Sequence, residues 1–225
     1  MKNLAAILFL MLALPALHGC GLWDKPDFRE VKWGMSKNDV KKNETAELVK
    51  EGDDVLTYRI MGPVLNITVP SKDTGGEGDA KSVSEPIVTP IHYEYDLLYV
   101  FGDGKLGMAV IHLRESLGEP GEYIELFKER SEQVSKKIGA PAEGVAAYPS
   151  GDVPRANPYE TPEDICGGEY VLKHVWPTDR KRTNVSIELD KKKFSSEPDC
   201  NLSIFFESVD VAIDPVLSDQ LHEVL

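Results

Sequence analysis

The chain has 225 residues, 41% of them hydrophobic, with 38 Asp and Glu against 25 Lys and Arg, a net charge of −13. That hydrophobic content suits a folded domain rather than a disordered chain. The charge excludes a nucleic-acid binder held by bulk electrostatics, because such proteins gain affinity by replacing phosphate counterions with Lys and Arg.

Lys2 precedes an uninterrupted apolar run from Leu4 to Leu14, which Pro15 breaks. The run is well short of the ~20 residues that cross a bilayer as a helix, so it reads as a secretory signal and not as a span. Leu17-His18-Gly19-Cys20 closes this segment and resembles the lipobox of bacterial lipoproteins. The resemblance implies removal of residues 1–19 and acylation of Cys20, which would anchor the mature protein to a membrane without spanning it. Gly21, rather than Asp, after the cysteine resembles the sorting signal for an outer-membrane destination facing the periplasm. Residues 20–28 then form a lipidated tether.

Ser36 is a good N-cap with Asp39 three residues on, which predicts a helix over Lys37–Glu47. Gly52-Asp53-Asp54 turns the chain, and alternation with β-branching predicts strands at Val55–Met61 and Val64–Val69. Residues 70–90 are rich in Gly, Ser, Pro and Asp and read as a surface loop. Tyr93–Phe101 and Leu106–Arg114 alternate around Gly102-Asp103-Gly104-Lys105, a strong hairpin signal. Glu122–Gly139 is the clearest helix, with Ile124, Phe127, Val134 and Ile138 on one face and Gly139 and Pro141 as stop signals. A loop-rich stretch at 141–168 precedes strands at Tyr170–Trp176, Asn184–Asp190 and Leu202–Val209, and residues 212–225 form a peripheral tail.

The order helix, strands, helix, strands predicts an α+β domain over 29–211, an antiparallel sheet covered by two helices. Two helix-plus-meander repeats, 29–117 and 118–211, are one form of it, since Tyr95–Phe101 and Tyr170–Trp176 match at Tyr, Leu, Val and an aromatic. Phe28–Val40, with Trp33-Gly34-Met35-Ser36 at its centre, resembles the opening of the BamE (SmpA/OmlA) family of envelope lipoproteins and of the related β-lactamase-inhibitor-protein-like fold. That resemblance implies helix-plus-antiparallel-sheet units that act by binding other proteins.

Apart from Cys20, Cys166 and Cys200 form an even pair in an export compartment where disulfides persist. Each precedes a predicted strand, and strands once removed lie ~10 Å apart, whereas a bridge needs Cα atoms within about 7 Å. A disulfide with loops bent inward and two separate buried thiols therefore both remain open. No CxxC occurs, which removes thioredoxin-like and zinc-ribbon readings.

Gly102–Gly107 spells GxGxxG, yet a strand follows it where a phosphate-binding loop needs a helix. The chain contains no GxSxG, P-loop or HExxH motif. His92, His112 and His174 fall at or in predicted strands with no spacing that requires a metal, and no cofactor is expected. Asp96 reads as an outward-facing strand residue. Arg180-Lys181-Arg182, in a turn between strands, and Lys191-Lys192-Lys193 are basic clusters, either solvated turns or docking patches for an anionic partner. Trp33 and Trp176 read as core anchors. These features together predict a lipid-anchored, non-catalytic envelope lipoprotein acting as a protein-binding or assembly module. The alternative is a small-ligand-binding protein or enzyme using a cleft between the two halves.

Overall fold

A computed structural model describes residues 27–62, 93–147, 162–176, 183–192, 199–214, 217 and 221. The signal segment, Cys20, the strand expected at 64–69 and the loop at 70–90 lie outside these residues. In chain order the elements are α1 (Lys37–Asn43), β1 (Glu47–Glu51), β2 (Val55–Met61), β3 (Glu94–Gly102), β4 (Lys105–Leu113), α2 (Pro120–Ile138), β5 (Glu143–Ala147), α3 (Pro162–Gly167), β6 (Val171–Trp176), β7 (Thr183–Lys191) and β8 (Cys200–Ser208). The eight strands form one antiparallel sheet in the order β1-β2-β3-β4-β8-β7-β6-β5, so the chain is of the α+β class. Two four-stranded meanders meet edge to edge where β4 pairs with β8, from Met108↔Glu207 to His112↔Ser203. They join along this strand pair.

Alternation along the strands sorts side chains onto two faces. Tyr95, Leu97 and Tyr99 of β3, Ile111 of β4, Ile187 of β7 and Ile204 and Phe206 of β8 share one face and form the main core with Tyr123, Ile124, Phe127 and Val134 of α2. The α2 helix begins at Pro120, whose missing N–H costs nothing at that position. The Glu122 carboxylate accepts the N–H groups of Gly118 and Glu119 just before it. It ends at Gly139 in a conformation (φ 102°) that favours glycine, and the Trp176 indole N–H donates to the Gly139 carbonyl at 3.0 Å. Both α2 and α3 pack on β7 and β8, while α1 contributes Val40 to the same core.

Three departures from the sequence reading have physical causes. The first helix stops at Asn43 instead of running to Glu47, because Glu44 leaves helical geometry and turns its carboxylate inward. Residues 47–51 then pair with β2 as an edge strand with a bulge between Leu48 and Lys50. Every residue of that strand is exposed, so no apolar alternation marks it. The stretch 141–168, expected to be loop, contains β5 and α3, each too short to carry a periodic signal.

Near both ends of the described residues, apolar side chains pack on the domain. Phe28 is fully buried, its ring 4.5 Å from that of Phe206, so the folded domain already includes a residue assigned to the tether. Ile213, Leu217 and Leu221 pack on a second apolar cluster, Leu98, Val100, Met108, Val110 and Phe205, on the face of the sheet opposite the main core. The central strands are apolar on both faces, and an uncovered second cluster would leave that surface in water.

Candidate functional site

The strand register builds a row of polar side chains across the face that bears the second cluster. Arg59 of β2 lies opposite Asp96 of β3, Asp96 opposite His112 of β4, His112 opposite Ser203 of β8, Ser203 opposite Glu188 of β7, and Glu188 opposite Lys173 of β6. Side chains directly opposite one another stand about 5 Å apart, close enough to interact in pairs. Arg59 Nε lies 3.5 Å from Asp96 Oδ1, and Arg114 Nε 3.9 Å from Asp96 Oδ2. Among the described residues neither Arg59 Nε nor Asp96 Oδ1 has a hydrogen-bond partner, although both atoms are buried. Lys173 and Glu188 form an ion pair at the other end of the row.

His112 stands at the centre, 8% exposed, with Nδ1 3.1 Å from the Ser203 hydroxyl. Burial, with a smaller contribution from the positive charge of Lys192, lowers its pKa to about 4. It is therefore a neutral hydrogen-bonding group near pH 7 and a weak base. His174, in β6, is hydrogen-bonded to Ser131 of α2 and packs on Phe127, so the two described histidines serve different faces. Among the described residues no three His, Cys, Asp or Glu side chains converge as metal ligands do.

Two further polar clusters are built into the fold. Glu44 accepts both Arg29 Nε and Nη2 at 3.0 Å, the Tyr99 hydroxyl at 2.6 Å, and the N–H groups of Thr45 and Ala46. Burial alone would raise its pKa, but hydrogen bonds from Arg29, Tyr99 and Ala46 outweigh it and hold the carboxyl below its usual range. At the end of the sheet where β8 begins, the Tyr123 hydroxyl donates to Asp199 at 2.5 Å, the Ser116 hydroxyl to the same carboxylate at 2.8 Å, and Lys192 lies 3.3 Å from it. Burial and the bond to Asp199 push Tyr123 up to about 12. Each of these clusters ties a connecting segment to the sheet.

Cys166 and Cys200 are joined by a disulfide with Cα atoms 4.5 Å apart. The strand-spacing argument against it does not apply, because Cys166 sits in α3, which lies over the sheet and not in its plane. Asp96 lies on the face opposite the main core, one quarter exposed and flanked by two arginines. In the β3–β4 turn Asp103 and Gly104 both have positive φ, 50° and 73°, the geometry of a two-residue hairpin. Trp33 and Trp176 are both buried in the main core. Arg180, Lys181 and Arg182 lie outside the described residues, between the end of β6 and the start of β7. Lys192, from the second basic cluster, is engaged by Asp199 and Ser116.

Sequence reasoning missed the polar row because it exists only across strands. Asp96, His112, Ser203, Glu188 and Lys173 lie on five strands far apart in sequence, and only the register places them in line. The available clue was the recurrence of one polar residue at an alternating position within each apolar strand. In comparisons with protein-family models, curated proteins and solved structures, the chain matches none.

Proposed function

We propose that this chain is a lipid-anchored, non-catalytic protein of the bacterial envelope that binds a partner protein through the face of its sheet opposite the main core. The observation that carries the reading is the division of labour between the two faces. On one face, which holds the main core, α2 and α3 pack on β7 and β8. The other presents the row from Arg59 to Lys173 beside an apolar centre. Charged and polar pairs held in register suit protein recognition, where charge complementarity fixes the partner's orientation.

The strand order supports a duplicated architecture within this reading. Numbered from each edge, β1-β2-β3-β4 and β5-β6-β7-β8 run inward to meet at β4 and β8, and a helix precedes each set. In this reading the two sets are helix-plus-meander halves, 29–117 and 118–211. The anchor rests on the lipobox-like ending at Cys20, and the Cys166–Cys200 disulfide fits an oxidising compartment such as the periplasm.

The test is a pair of measurements on the full-length chain in bacterial cells. Intact mass should reveal an acylated Cys20 as first residue, with the acyl mass lost in Cys20→Ala. Cross-linking followed by purification should recover a stoichiometric envelope protein from the anchored chain and much less from Cys20→Ala. An unacylated chain, or recovery of the bait alone in repeated trials, would contradict the proposal.

A further inference from the structure

Strand β1 is the outermost strand of the sheet, so one side of its backbone has no strand beside it among the described residues. An open edge is a template for pairing with another chain, and folded proteins blunt it with charges, bulges or short strands. This edge carries a bulge and the charges of Glu47, Lys50 and Glu51, yet it is also apolar. Of the four large apolar side chains exposed among the described residues, Leu48 and Val49 lie on β1 and Met61 at the end of β2.

The bulge decides which charges share a face. In a regular strand Glu47 and Lys50, three residues apart, would point to opposite sides. Val49 is the extra residue, so Glu47 lies opposite Arg59 and Lys50 opposite Thr57, two positions that share the face away from the main core. Glu51 is bound by Lys41, whereas neither Glu47 nor Lys50 has an ion-pair partner among the described residues. The edge therefore presents one unpaired carboxylate and one unpaired ammonium on a single face, with Leu48 and Val49 between them in sequence.

We infer that β1 is a homodimer edge, which pairs antiparallel with β1 of a second copy and continues the sheet from one copy into the other. In reverse order the run Glu47-Leu48-Val49-Lys50 complements itself. About a two-fold axis between Leu48 and Val49, each Glu47 meets Lys50 of the second copy and each Leu48 meets Val49. The same number of residues separates Glu47 from Lys50 in both strands, so the two bulges keep this register. Moving the axis onto Val49 would set Glu47 against Glu51, and an in-register parallel pairing would set every charge against its like. Opposite charges directly across a strand pair support it, and like charges oppose it. The inference is independent of the partner-binding face.

Sedimentation equilibrium of the full-length protein in density-matched detergent reads the mass, and the wild type should be a dimer. Glu47→Lys or Lys50→Glu alone sets two like-charge contacts across the axis and should weaken dimerisation about tenfold. Glu47→Lys/Lys50→Glu, which restores opposite charges in exchanged places, should recover it. Glu125→Lys, on the exposed side of α2, makes the same change in net charge as Glu47→Lys and should leave the dimer intact. Glu47 and Lys50 are exposed, so the fold should survive both reversals. If near-ultraviolet circular dichroism shows otherwise, Glu47→Gln or Lys50→Gln takes the place of the reversal, with a smaller effect in the same direction. A wild-type monomer at every concentration overturns the inference and leaves the edge to a strand of another protein. A dimer that the single reversals leave unchanged, or that the double exchange does not recover, overturns it as well.

Discussion

Glu44 illustrates how one residue can set the boundary of an element. Its backbone N–H still donates to the Val40 carbonyl, closing the last turn of α1, while its carboxylate, 1% exposed, gathers Arg29, Tyr99 and two backbone N–H groups. Arg29 is thereby fixed, and with it the segment that places Phe28, Val31 and Trp33 in the core. Replacing one partner of a buried ion pair leaves the other charged and unpaired, so Glu44→Gln should lower stability by about 3 kcal/mol. A fall in the urea midpoint at constant slope is the expected observation; an unchanged midpoint would mean the network contributes little. His112 gives a pH signature. Its folded pKa of about 4 lies below its value near 6.5 in the unfolded chain, so the unfolded state binds more protons between those values. Stability from this group is complete above pH 6.5 and is lost as pH falls toward 4, about 2 kcal/mol between pH 7 and 5. His112→Gln should flatten that window. Glu44 and Asp199, whose carboxyls are held below their usual range, add losses only at more acid pH.

At the scale of elements, what the sequence revealed depended on burial. The helix over 122–139 and the hairpin at 102–105 were legible because one has a clear apolar face and stop signals, and the other a turn that demands positive φ. Strand β1 was not, since an exposed edge strand with a bulge imposes no pattern on its side chains. The small helix α3 was also hidden, although it determines the cysteine pairing. Closing a loop across a sequence separation of 34 should stabilise the fold by about 4 kcal/mol through the unfolded chain. Cys166→Ser/Cys200→Ser should therefore unfold at a lower urea concentration, and reductant should shift the wild-type curve to meet it. A wild-type curve insensitive to reductant at full reduction would contradict this.

For the molecule as a whole, the sequence disclosed the α+β class but not which face of the sheet is available. That depends on register, on where helices pack and on where the tail lies, none of which a linear pattern contains. The charge of −13 sets the body as a whole against anionic surfaces. The central claim is that the face opposite the main core binds a partner, and photo-cross-linking in cells tests it most directly. A photoreactive amino acid replaces Thr57 or Lys173, on that face, or Glu125, on the exposed side of α2. The account predicts one cross-linked protein from positions 57 and 173 and none from 125. No product from the sheet face, or the same product at equal yield from α2, would contradict it.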